Sequence, residues 1–168
     1  MTIHELAIVW TARCAVLCML FRFVLSLRRE GGIPARPECV VWTAGCLLFL
    51  LHVWAAFQFR HGWSHSDAYR HTAEQTAALT GWHWGGGLYL NYLFTVLWVL
   101  DVAADWRAYC IQQVRHRWFP TGLRWFLAFM MVNATLVFGH SGWWVVALLL
   151  VLLLLMLRRR RIPEPGST

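Results

Sequence analysis

Fifteen consecutive apolar residues run from Trp143 to Leu157, and the next four, Arg158, Arg159, Arg160 and Arg161, are all arginine. An apolar run of that length closed by a guanidinium cluster belongs in a bilayer, because water gives it nothing to pack against and lipid headgroups hold the arginines. Its eight leucines alone contribute roughly −4 kcal/mol of insertion free energy at about −0.5 kcal/mol each. The rest of the chain agrees. Apolar residues make up 59% and charged residues 14%, against about 45–50% and about 25% in soluble domains. A water-soluble enzyme, a secreted disulfide scaffold and a disordered chain are all excluded.

A helix needs about twenty largely apolar residues to cross the hydrocarbon core. Four further stretches approach that length: 6–27, 39–59, 87–106 and 123–139. With 143–157 they predict an all-α polytopic bundle of five transmembrane helices. Its single domain covers 1–157 and is followed by a basic tail, 158–168. Arginine sets the orientation, since cytoplasmic flanks collect it. Five spans with the N-terminus outside place Arg28, Arg29, Arg36, Arg107, Arg115, Arg117, Arg124 and the terminal four on the cytoplasmic side, eleven of the fifteen basic residues. The C-terminus is then cytoplasmic. The formal net charge of +7 reads as topology and contact with anionic lipid headgroups in the cell membrane, not as a nucleic-acid footprint.

The N-terminus has no basic leader region, Arg13 interrupts the first apolar run and no A-x-A-like site follows, which argues against a cleaved signal peptide. Cys14, Cys18, Cys39, Cys46 and Cys110 fall within spans or on the cytoplasmic side, so no disulfide framework is expected. Most of the twelve tryptophans, among them Trp10, Trp54, Trp63, Trp82 and Trp84, sit near span boundaries, where an indole has one wet and one apolar edge.

The extended polar region runs from Arg60 to Trp84. Ser64 followed by Asp67 matches a capping box and Gly81 a helix stop, predicting a short helix over 65–80 that lies on the membrane surface or over the bundle mouth. His52, His61, His65, His71, His83 and His140 all map to this outer side. His61 and His65, four apart, with His71 and Glu74, three apart, form a candidate transition-metal set. Asp67, His52 and His140 are available to complete it, and imidazole and carboxylate suit Zn, Fe or Cu. Gly62 and the cap at Ser64 argue that His61 precedes the helix. The string from Arg60 to Ser66 resembles, over seven residues, the histidine motif of some membrane-bound metal-dependent hydrolases. The aspartate-rich segment that accompanies that motif is absent, so the likeness identifies no family.

Depth arithmetic at about 1.5 Å per residue places Arg13 and His52 roughly 10 Å below the outer boundary. Asn91 and Asn133 fall in the same layer. This predicts either a hydrogen-bonded knot between helices or the floor of an outward-facing cavity. Near the inner side Arg22 and Asp101 match in depth and predict an ion pair. Three functions follow. One is a histidine-rich metal site at the extracytoplasmic mouth. A second is a b-type haem electron-transfer protein, with His52 and His140 as axial ligands and Gly45 leaving room for the porphyrin edge. The third is a structural membrane subunit with no cofactor, working as a homo-oligomer or inside a larger membrane complex. The sequence assigns no reaction.

Overall fold

The computed structural model describes residues 2–27, 32–114, 122–123 and 125–130. Helix α1 spans Ile3–Leu27, α2 Arg36–Phe59, α3 His65–Thr80 and α4 Gly87–Cys110. A further helical segment, α5, is described over 125–130.

Helix α1 starts before the apolar run because Thr2 and Glu5 cap it reciprocally. The Thr2 amide donates to Glu5 Oε2 at 2.8 Å and the Glu5 amide to Thr2 Oγ1 at 3.3 Å. Helix α2 carries Pro37 in its first turn, where a missing N–H costs nothing. Helix α4 continues past Trp106 to Cys110, with Arg107 in its last turn.

Among the described residues three helices are long and apolar enough to cross a membrane: Ile3–Ser26, Arg36–Phe59 and Gly87–Cys110. Each has 24 residues, a length of about 36 Å against a hydrocarbon core of about 30 Å. The chain is thus a multi-pass helical membrane protein, and the expectation of five spans is corrected: among the described residues three helices qualify. The two surplus spans rested on stretches of seventeen and fifteen residues, shorter than the roughly twenty that a crossing helix needs. One face of the described part of the first packs into the core. Leu123, Leu127 and Met130 are buried in the core, whereas Trp125 and Phe129 are exposed. Residues 131–139, the run 143–157 and the tail 158–168 lie outside the described residues.

The core joins Ala15 and Val16 of α1, Trp42 and Cys46 of α2, and Phe94 and Trp98 of α4 to Leu123, Leu127 and Met130. Helix α1 packs along α2, and α2 in turn on α4. Gly45 permits a close approach of α1, α2 and α4. A Cβ there would stand 3.0 Å from Cys18 Cβ and 3.1 Å from Trp98 Cζ2. Around this point Trp98 meets Trp42, Phe49 and Phe94, with ring centroids 4.8, 5.6 and 5.3 Å away. All five cysteines are free.

Toward the end formed by the α1 C-terminus, the α2 N-terminus and the α4 C-terminus lies a buried charged network. Arg22 Nη1 is 3.0 Å from Glu38 Oε2, and Arg22 Nη2 donates to Asp105 Oδ2 at 2.9 Å. Trp42 Nε1 donates to Asp101 Oδ2 at 2.9 Å, and Trp106 Nε1 to Thr43 Oγ1 at 2.9 Å. The expected Arg22–Asp101 pair is therefore corrected: Arg22 takes Glu38 and Asp105. Because α4 extends to Cys110, Asp105 is still helical and comes level with Arg22. Asp101, one turn earlier on the same face, meets the Trp42 indole instead.

All four charged residues are at most 6% exposed. Removing one partner of such a network leaves buried charge less well compensated, at a cost of about 3–5 kcal/mol. Arg22→Met is expected to destabilise the bundle by about that amount, and adding Glu38→Gln with Asp105→Asn to recover part of it. Reversible unfolding in bicelles measures both.

Candidate functional site

The α2–α3 connection and α3 build a cleft whose lining is wholly ionisable. Helix α2 ends at Phe59, and the Arg60 amide still bonds to the Ala56 carbonyl. The chain then turns through two positive-φ residues, Gly62 at 52° and Trp63 at 62°. Tryptophan adopts that conformation at some cost, and its contacts here account for it. The Trp63 amide donates to the Phe57 carbonyl at 3.1 Å, and its indole Nε1 to Gln58 Oε1 at 3.0 Å. Ser64 then caps α3, its side chain accepting from the Asp67 amide at 3.2 Å. Helix α3 ends at Gly81 in the left-handed conformation, φ 76°, which favours glycine. Its limits coincide with the residues that the capping pattern marks out in the sequence.

This turn folds His61 back over the first turns of α3. His61 Nδ1–H donates to Asp67 Oδ2 at 3.0 Å, and the other Asp67 oxygen accepts from Arg70. The His71 ring centroid lies 5.5 Å from that of His61. With Arg60 and Glu74 these residues line an open cleft of about 490 Å³. The His61 hydrogen bond, followed by that of Arg70, holds the Asp67 carboxyl below its usual range. The His71 imidazole is also pushed down, first by desolvation and then by the charges of Arg60 and His61, with Glu74 and Asp67 opposing.

The four residues of the expected metal set do not converge. His61, His71 and Glu74 line the cleft, but His65 does not. It opens α3, and its Nδ1 lies 3.1 Å from Tyr92 Oη on α4. Since His61 precedes the helix, the four-residue spacing never becomes one helical face. Among the described residues no group of three or more His, Cys, Asp or Glu side chains is arranged to hold a metal ion. The electrostatics agree. Asp67 is occupied by His61 and Arg70, and two guanidiniums in one lining oppose a cation.

The expected outer polar layer is described only in part. His52 Nδ1–H donates to the Ile8 carbonyl at 2.8 Å. The Arg13 guanidinium lies over the Trp10 ring, 5.2 Å from its centroid. Asn91 is exposed, and Asn133 lies outside the described residues. The haem reading is described at one of its two ligands, His52. His140 is outside the described residues, and the space beside Gly45 is filled by Cys18 and Trp98.

Sequence reasoning missed Arg60 and Arg70 as members of the site, and Tyr92 as the partner of His65. Arg70 had a signal, its i+3 spacing from Asp67; Tyr92 had none, because tertiary packing of α3 on α4 makes that contact. Comparison with protein-family models, curated proteins and solved structures returns no match to this chain.

The cleft sets a proton-binding order that NMR of the histidine rings can read. Because the folded His71 imidazole binds its proton less readily than a free one, the unfolded chain binds more protons as pH falls below about 6.5. The His71 contribution to stability is therefore present above that value and is lost as pH drops through its lowered pKa. His71 is expected to titrate below an unperturbed imidazole. Arg60→Ala should raise its pKa by removing a cation, and Glu74→Gln should lower it further. The reverse order would place these charges outside its reach.

Proposed function

We propose that this protein is a small-ligand-binding membrane protein, with the cleft of Arg60, His61, Asp67, Arg70, His71 and Glu74 as its binding site. The observation that carries this reading is the composition of that lining, six ionisable side chains around about 490 Å³. Pockets for small molecules fall within about 300–1,000 Å³ and orient their ligands with a few fixed polar groups. Asp67 supplies such fixing, because its bonds to His61 and Arg70 hold both side chains against the α3 surface. A metal centre is the poorer reading of the same residues, since it would need His65 to leave Tyr92 and a cation to settle beside two guanidiniums.

In this proposal the arginine-bearing end of the bundle, with Arg28, Arg29, Arg36 and Arg107, faces the cytoplasm and its anionic lipids. The tail from 158 lies on that same side, and the cleft opens extracytoplasmically. Residues 1–157 act as one helical domain. Helix α3 rests at the membrane surface, where the exposed Trp63, Trp82 and Trp84 mark the interface. Oligomerisation, or membership of a larger membrane complex, would be built on the lipid-facing sides of the spans.

A thermal-shift screen of small charged metabolites on the detergent-solubilised protein tests the assignment. At a concentration a hundredfold above its Kd, a true ligand stabilises the folded state by about 2.7 kcal/mol. The shift should vanish in His61→Ala and Asp67→Asn and persist in His65→Ala. A screen with no hit, or a hit indifferent to His61 and Asp67, overturns the proposal. Stoichiometric zinc, iron or copper lost on His65→Ala would restore the metal reading.

A further inference from the structure

The internal bonding of the cleft leaves two groups of opposite charge over. Asp67 is fully engaged, one oxygen by His61 and the other by Arg70. Among the described residues, the side chains of Arg60 and Glu74 have no hydrogen-bond or ion-pair partner, and both line the cleft. The His71 ring lies within the field of each, Arg60 acting on it in one sense and Glu74 in the other. A simple anion would answer Arg60 but face the Glu74 carboxylate, and a simple cation would meet the converse. A ligand carrying both charges a few ångströms apart satisfies the pair, because each of its ends gains a charge-assisted contact.

Resting on the binding function proposed above, we propose that the cleft takes a zwitterion, its phosphate or carboxylate on Arg60 and its ammonium group on Glu74. Arg60 directly follows Phe59, the last residue of a membrane-spanning helix. The cleft therefore stands at the depth of lipid headgroups, and Trp63, 59% exposed, fits the same level. Phosphoethanolamine has the required chemistry, and the bilayer presents it as a lipid headgroup while the aqueous side presents it as a free solute. Guanidinium is the better-matched cation for the phosphate, since its planar N–H groups donate to two oxygens at once.

Titration calorimetry on the full chain in maltoside micelles, with phosphoethanolamine, inorganic phosphate and ethanolamine as probes, tests this. Phosphoethanolamine should bind at least tenfold more tightly than either half. Glu74→Gln should reduce its affinity to that of phosphate, and Arg60→Gln to that of ethanolamine, with both variants folded by unchanged thermal unfolding. Phosphate binding as tightly as phosphoethanolamine, or Glu74→Gln leaving affinity unchanged, overturns the zwitterion while the cleft remains a binding site for another ligand class. Failure of all three probes overturns it too. If the metabolite screen is also empty, the underlying binding reading falls with it. The source follows from competition: nanodiscs containing phosphatidylethanolamine should suppress binding of the free solute if the lipid is the ligand, and leave it intact if the solute is.

Discussion

One guanidinium bridging two carboxylates inside the helix bundle constrains the rest of this molecule. Arg22 of α1 reaches Glu38 of α2 and Asp105 of α4 at 3.0 and 2.9 Å. In a medium of low dielectric such charges are tolerated only when matched in position as well as in sign. Sliding any one helix by a turn would separate partners by about 5.4 Å. The network thus sets the helix register at one end, and the aromatic packing around Trp98 carries that register toward the other. The cleft inherits it, since α2 delivers Arg60 and α4 delivers the Tyr92 that anchors His65.

The two ends of the bundle treat the same side-chain chemistry differently. At the Arg22 end, Arg22, Glu38, Asp101 and Asp105 are almost wholly buried, and burial demands that charges be answered from within the protein. At the mouth, water can solvate what the protein leaves unpaired. Arg60 and Glu74 can therefore stand open at little cost while Asp67, His61 and Arg70 satisfy one another. Net charge per residue does not distinguish these sites; solvent access does.

How much of this was legible in the sequence follows from the range over which each signal acts. Ser64, Asp67 and Gly81 mark the ends of α3 because capping involves residues three or four apart. Thr2 and Glu5 carry the same local signal at α1, hidden behind an apolar run that draws the eye to Leu6. Arg22 was readable as a buried cation in need of a partner, but depth matching alone chose Asp101. The choice between Asp101 and Asp105 depended on where α4 ends, a boundary set by its final turn at Arg107 and Ile111. Span counting failed for a different reason. Apolar runs are equally suited to lipid and to a core, and Leu123, Leu127 and Met130 show the second use. For the histidines, spacing spoke only for a helix that His61 does not join.

Gly45 has a meaning for the history of this chain. The missing side chain and the Trp98 indole share one volume, with Cys18 on its third side. A larger residue at 45 is tolerable only if the ring opposite shrinks, and a smaller residue at 98 opens a void that a methyl at 45 would fill. Divergent descendants of this sequence should therefore show positions 45 and 98 covarying, large against small, long after the surface of α3 has drifted beyond alignment.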